Sequence, residues 1–180
     1  RLNAAVDWIL ANASSRDIQL VAVLGDICWG SGFDIAHTSL DRLNMPWVPI
    51  MGDNVVVAGE SSIFYDTFDA QLNQLETQLT NFERQPAPVY NPEMDEDNWL
   101  QNIAFDHEGV RFLGADLNSR EDHPLWSETP DLHDFEGGTW PWLTAQLDQL
   151  EGRPSDSVIL LSHMPLFEGG GSLTADEADT

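Results

Sequence analysis

The stretch Val21-Ala22-Val23-Leu24-Gly25-Asp26 predicts a short buried strand that ends in a carboxylate. Four apolar residues suit such a strand, and Gly25 lets the chain turn sharply after them because glycine has no Cβ atom. In open α/β sheets, ligands bind outside the carboxyl ends of the strands. We therefore expect Asp26 to project from the strand end into a binding site.

Two further apolar runs end in the same way. Val48-Pro49-Ile50-Met51 leads into Gly52-Asp53-Asn54, and Val158-Ile159-Leu160-Leu161 leads into Ser162-His163. Three strands that deliver two acids and an imidazole to one sheet edge predict a shared site. Each motif alone has a simpler explanation, since Gly-Asp and Gly-Asp-Asn are common turn sequences and a histidine after a strand is commonly structural.

The residue types indicate a metal site. Carboxylate oxygen and imidazole nitrogen suit divalent zinc, manganese or iron. A bridging carboxylate can hold two such ions about 3.5–4 Å apart, a spacing that clamps a phosphoryl group and generates hydroxide at neutral pH. The alternative is a set of unrelated turns and a hydrogen-bonded histidine.

The composition indicates a globular protein with a strongly acidic surface. The chain has 180 residues, of which 42% are hydrophobic, and this suffices for one domain with a core. Its net charge is −24, from 31 acidic and 7 basic residues. Such a surface repels phosphate backbones, which argues against general nucleic-acid binding. No apolar run approaches the roughly 20 residues of a membrane span.

The acidic surplus also bears on the environment of the protein. High salt screens the self-repulsion of a surface with this charge density. We therefore interpret the composition as an adaptation to a saline or cation-rich medium, which favours an extracellular or periplasmic location. An acidic protein from a high-GC genome is the alternative. The single Cys28 excludes an intrachain disulfide, and nothing in the sequence predicts an oligomeric state.

The hydrophobic pattern predicts an alternation of strands and helices. Helices are predicted over 1–14, 34–44, 61–82 and 139–151, strands over 20–24, 47–51 and 158–162, and a hairpin over 103–113. This order indicates an α/β class with layered sheets and helices. Residues 85–101 and 116–138 are expected to form long polar loops.

The order and neighbourhoods of these motifs resemble those of the calcineurin-like metallophosphoesterases. That family's pattern is Asp-x-His, Gly-Asp-x-x-Asp, Gly-Asn-His-Asp/Glu, a histidine after a strand, and Gly-His-x-His. Leu24-Gly25-Asp26-Ile27 is similar to the second motif and Pro49-Ile50-Met51-Gly52-Asp53-Asn54 to the third. Ser162-His163-Met164-Pro165-Leu166 is similar to the histidine segment, so the resemblance extends over nearly the whole chain.

The resemblance implies an α/β/β/α sandwich with a centre of two divalent ions, manganese, iron or zinc. Asp26 would bridge the ions, Asp53 and His163 would be further ligands, and Asn54 would orient a phosphate oxygen. A metal-bound hydroxide would attack a phosphate mono- or diester in line. The expected substrate is a small-molecule or nucleotide-like phosphate ester.

The chain departs from the family pattern at several positions. Trp29 stands where the second motif has its second aspartate, Asp53 replaces the asparagine ligand, and Val55 replaces an acid. Asn54 replaces a histidine and cannot act as a general acid near neutral pH, although it can donate a hydrogen bond. These departures motivate an alternative, a non-catalytic binding protein on the same fold.

The first and last motifs of the family pattern do not occur within residues 1–180. We therefore expect a single domain that lacks its N-terminal strand and its C-terminal metal motif. With about half of the ligands, this fragment alone is expected to be inactive and to bind metal poorly.

The other candidate residues receive structural interpretations. His107 is expected to be exposed in the hairpin turn, and Asp116 to be a turn residue. His123 and His133 lie in the second polar loop, where one of them could reach a substrate. Cys28 is expected to be a small packed residue rather than a nucleophile.

Overall fold

The computed structural model describes residues 1–28, 30–120, 130–151 and 157–165, and shows a mixed α/β protein. The helices are α1 Leu2–Arg16, α2 Phe33–Leu40, α3 Asp53–Val57, α4 Ser61–Gln78 and α5 Thr139–Asp148. The strands are β1 Val21–Leu24, β2 Trp47–Ile50, β3 Thr80–Arg84, β4 Val89–Asn91, β5 Glu96–Asn98, β6 Ile103–His107, β7 Val110–Gly114 and β8 Ser157–Leu161. Among the helices of the described ranges, none has the length and apolar character needed to cross a membrane.

The strands form three sheets. β1 and β2 pair in parallel, with Val21 opposite Trp47 and Leu24 opposite Ile50. The largest sheet has the order β3-β6-β7-β8, in which β8 runs parallel to β7 and the other pairs are antiparallel. β4 and β5 form a separate antiparallel hairpin within the first predicted polar loop. The α/β class and the hairpin predicted over 103–113 are thereby confirmed.

Alternate residues of the β1–β2 pair face two different clusters of the core. Trp47 packs with apolar residues of α1, α2 and α4, whereas Val48 and Ile50 pack against Ile103 and Phe105 of β6. This follows from the two-residue period of a strand. The β1–β2 sheet and the four-stranded sheet therefore contact each other through apolar side chains, and α1 and α2 lie on the outer face of β1–β2.

Helix α5 covers the other face of the four-stranded sheet. Leu143 packs on Ala104 of β6 and Leu113 of β7. Ala104 lies between Ile103 and Phe105 in β6, so its side chain is on the opposite face of the sheet. Leu113 is paired with Ala104 across the hairpin and therefore shares that face. The sheet is thus covered by α5 on one face and by the β1–β2 pair on the other.

Two helices end four residues earlier than predicted. The helix predicted over 34–44 ends at Leu40, and the helix predicted over 61–82 ends at Gln78. Leu79 leaves α4 with φ −114° and ψ 146°, so that Phe82 lies in β3 instead of on the helix stripe. The helical spacing of apolar residues continues to Phe82, but pairing of β3 with β6 determines the structure of this segment. Phe82 stacks on Phe105 of β6, with ring centroids 6.4 Å apart.

Candidate metal centre

Asp26, Asp53 and His163 lie together where β1, β2 and β8 end. One possible ligand atom from each side chain lies within 4.8 Å of the other two. His163 Nε2 is 3.1 Å from Asp53 Oδ1 and 3.8 Å from Asp26 Oδ1. All three side chains are partly exposed, so an ion from solvent can reach them. The structure therefore brings together three residues that sequence motifs far apart in the chain had predicted.

Two glycines make this close approach possible. A Cβ atom on Gly25 would overlap the imidazole ring of His163, and the residue has a left-handed φ of 78°. A Cβ atom on Gly52 would overlap the backbone and the carboxylate of Asp26. The glycine that precedes each acid is thus needed for packing between strand ends, and Gly25 is also needed for its left-handed backbone conformation.

The main chain of β1 sets the tautomer of His163. Its Nδ1 lies 2.9 Å from the carbonyl oxygen of Leu24. Because a carbonyl only accepts, Nδ1 carries the hydrogen and donates it. In neutral histidine, Nε2 then presents a lone pair towards the oxygens of Asp53 and Asp26. A proton or a cation must lie between these atoms to avoid repulsion, and metal-binding histidines are commonly oriented in this way.

The spacing of the three groups fits one divalent ion. Two ligands that bind an ion at about 2.1 Å with an angle of about 90–110° are about 3.0–3.4 Å apart. The separation of 3.1 Å between His163 Nε2 and Asp53 Oδ1 lies in this range. The 3.8 Å to Asp26 Oδ1 requires a small rotation of an exposed side chain. A set of one nitrogen and two oxygens suits zinc, manganese or iron.

Asn54 contacts both acids. Its Nδ2 donates to Asp26 Oδ2 at 2.6 Å, and its backbone nitrogen donates to Asp53 Oδ1 at 2.7 Å. The first bond orients the Asp26 carboxylate so that its other oxygen faces His163. The second hydrogen of the Asn54 amide remains available for a further acceptor.

A buried polar network behind the site was missed in the sequence. Asp116, predicted to be a turn residue in a polar loop, is 2% exposed, and Asn118 is 1% exposed. Asp116 Oδ2 accepts from Arg120 Nη2 at 2.6 Å and from the backbone nitrogen of Gln101 at 2.9 Å. One signal was present: Arg120 is one of only seven basic residues in the chain and lies four positions after an aspartate.

Asp116 is ionised in the folded protein. Burial acts to raise the pKa of its carboxyl group, but the Arg120 guanidinium, His133 and the Gln101 backbone donor outweigh burial and lower the pKa below the usual aspartate range. The pair of Asp116 and Arg120 is therefore a buried ion pair whose remaining lone pairs accept hydrogen bonds.

We expect Asp116→Asn to lower the free energy of unfolding by about 3–5 kcal/mol near pH 7, because it leaves Arg120 buried without its counter-ion. Since the folded-state pKa of Asp116 is lowered, its contribution is fully present above the unfolded value of about 3.9 and is lost as the pH falls through the folded value. The gap in unfolding free energy between wild type and variant should therefore begin to narrow at about pH 4 and narrow further as the pH falls towards the folded-state value. Urea unfolding across this pH range measures the gap, and a gap that does not change with pH contradicts the prediction.

The remaining predicted residues lie away from the centre or in structural positions. His133 is 1% exposed, with Nε2 3.0 Å from the carbonyl oxygen of Asn118, and so does not reach a substrate. His107 is half-buried, so the prediction that it is exposed was wrong.

Cys28 agrees with the prediction of a packed residue. Burial, followed by the nearby Glu60 carboxylate, raises the pKa of its thiol to about 11. His123 and Trp29 lie outside the described residues.

No model of a known protein family matches this sequence, and no curated protein matches it. The chemical groups of the site therefore carry the functional argument. Within the described residues, Asp26, Asp53 and His163 form one cluster that can hold an ion. This cluster offers two carboxylates, an imidazole with a fixed tautomer and an amide donor.

Proposed function

We propose that this protein is a metal-dependent phosphoesterase with the α/β/β/α sandwich of the calcineurin-like metallophosphoesterases. The observation that carries the proposal is the convergence of Asp26, Asp53 and His163 from three strand ends. The contact of β2 with β6, together with the helices on the outer face of each sheet, supports the sandwich. The order of the sequence motifs supports the family.

The residues of the site have distinct roles in this proposal. Divalent ions, two of manganese, iron or zinc, would neutralise phosphate charge and activate water. Asp26 would bridge the ions; its Oδ1 lies towards His163, and its Oδ2 accepts from Asn54. Asp53 and His163 would be further ligands. Asn54 would use the free hydrogen of its amide to orient a phosphate oxygen.

The charge of the protein bears on the substrate. A net charge of −24 repels an anionic ester, so binding requires the local positive charge of the bound ions. The three candidate ligands are partly exposed. We therefore propose a small-molecule or nucleotide-like phosphate mono- or diester as the substrate class.

The test is metal-dependent hydrolysis by the protein expressed from its complete reading frame. After removal of metal with EDTA, we expect p-nitrophenyl phosphate or bis-p-nitrophenyl phosphate to be hydrolysed only when Mn²⁺, Fe²⁺ or Zn²⁺ is restored. His163→Gln is expected to reduce turnover by at least about 100-fold. His37→Gln is the matched control, because the His37 side chain is 25% exposed, compared with 19% for His163, and it also lies near an aspartate, with Nδ1 3.3 Å from Asp41 Oδ2. Turnover that His163→Gln does not change would overturn the proposal.

A non-catalytic binding protein on the same fold is the second candidate. The observation that favours it is Asn54, which stands at the position of a family histidine and donates to Asp26 instead of projecting freely. The same experiment separates the two candidates. Stoichiometric metal binding without turnover of either ester would favour the binding protein.

A further inference from the structure

The backbone at the end of β2 forms hydrogen bonds to a strand on one side and to side chains on the other. Within the described residues, β2 pairs only with β1. On its other side, Gln101 Nε2 donates to the carbonyl oxygen of Pro49 at 2.7 Å, and Gln101 Oε1 accepts from the backbone nitrogen of Met51 at 2.5 Å. A primary amide has the same donor and acceptor as a peptide group. Gln101 thus makes the two bonds that a neighbouring strand would make.

A second amide continues this arrangement. Asn118 Nδ2 donates to the carbonyl oxygen of Met51 at 3.2 Å. Both peptide groups of Met51 are therefore held by side chains that come from other parts of the chain. Gln101 and Asn118 are almost fully buried, so water cannot take their place.

The two amides are themselves fixed by the buried ion pair. Asp116 Oδ2 accepts from the backbone nitrogen of Gln101 at 2.9 Å, and Asp116 Oδ1 accepts from Asn118 Nδ2 at 2.9 Å. Arg120 holds both oxygens of this carboxylate. An ionised carboxylate thus connects both amides to one rigid anchor.

The backbone at Met51 sets the position of the metal centre. Asp53 follows two residues later, and the intervening Gly52 packs so closely on Asp26 that a Cβ atom would not fit. A shift of the Met51 peptide would therefore move Asp53 away from His163 or press Gly52 into Asp26. We infer that Gln101 and Asn118 are positioning residues, which hold Asp53 at the distance from Asp26 and His163 that the metal centre requires.

The test compares Gln101→Met with Gln71→Met in the protein expressed from its complete reading frame. Gln71 is the matched control because it is 4% exposed and its Nε2 donates to the carbonyl oxygen of Trp47 at 2.7 Å, at the other end of the same strand. Both variants lose a buried amide that bonds to β2, so we expect both to lower the Tm. Only Gln101→Met should raise the Kd for Mn²⁺, by about 10–100-fold, which is the usual effect of losing a group that orients a metal ligand.

A second measurement does not depend on metal. Hydrogen exchange resolved at single residues should show at least about tenfold faster exchange of the Met51 amide in Gln101→Met than in Gln71→Met. If Gln101→Met does not fold, Asn118→Leu removes the bond to the Met51 carbonyl and is expected to show the same rise in Kd.

The metal readout rests on the proposed function, whereas the exchange readout does not. If wild-type protein binds no Mn²⁺, the proposed function fails, and the Met51 exchange rate alone decides the inference. Equal Mn²⁺ affinity in the two glutamine variants, or equal exchange of Met51 in both, would overturn the inference.

Discussion

Asp26→Ala is expected to raise the Kd for Mn²⁺ by at least about 100-fold, more than the roughly 10–100-fold that follows loss of an orienting group. Asp26 Oδ1 faces His163 and its Oδ2 accepts from Asn54, so the substitution removes one of the two carboxylates of the cluster. Isothermal titration of metal-free protein with Mn²⁺ measures the change. Hydrolysis of bis-p-nitrophenyl phosphate should fall to background in the same variant.

Asp17→Ala is the matched control for this variant. Asp17 is also an exposed aspartate in the left-handed region, with φ 53° compared with 47° for Asp26. Alanine at either position removes one negative charge and costs about 1–2 kcal/mol of backbone strain. The two variants should therefore lose similar stability, and only Asp26→Ala should lose metal. Equal metal affinity in the two proteins would show that Asp26 is not a ligand.

Gly25→Ala is expected to lower the free energy of unfolding by about 1–3 kcal/mol more than the same change at Gly109. Both glycines have φ 78°, so alanine is strained equally at the two positions. At Gly109 the added Cβ meets nothing within 4 Å, whereas at Gly25 it overlaps the His163 ring. The difference between the two variants therefore isolates the contact between β1 and the histidine.

The two glycine variants should also differ in their affinity for metal. Gly25→Ala displaces the His163 ring, so its Kd for Mn²⁺ should rise by at least about tenfold, while Gly109→Ala should bind as wild type does. Urea unfolding and metal titration on the same preparations measure both quantities. Equal stability of the two variants would mean that the ring of His163 does not pack on Gly25 in solution.

The strand ends of the candidate site were predictable because they depend on local sequence. Each consists of an apolar run followed by a polar residue, and the glycines before Asp26 and Asp53 are evident in the sequence. The parallel pairing of β1 and β2 then places their carboxyl ends at one edge. His163 lies close to both acids because the two sheets pack together. In the sequence, only the order of the motifs indicated this proximity.

The network behind the site was not predictable in the same way. Gln101 lies about fifty residues after the backbone groups that it bonds, and Asn118 is farther still. A buried amide and an exposed loop amide look the same in sequence, because burial is decided by distant partners. The segment around Asp116 therefore suggested a polar loop, although its side chains are inside the protein.

The hydrogen bond from His163 to the carbonyl oxygen of Leu24 has a consequence for sequence variation. The acceptor that orients the imidazole belongs to the peptide backbone, and the Leu24 side chain is half exposed to solvent. Any residue that preserves the strand can supply the same carbonyl group. We therefore expect substitutions of Leu24 to be tolerated, whereas Gly25 has no room for a Cβ atom beside the imidazole ring. The orientation of His163 depends on the backbone at position 24 and not on the side chain there.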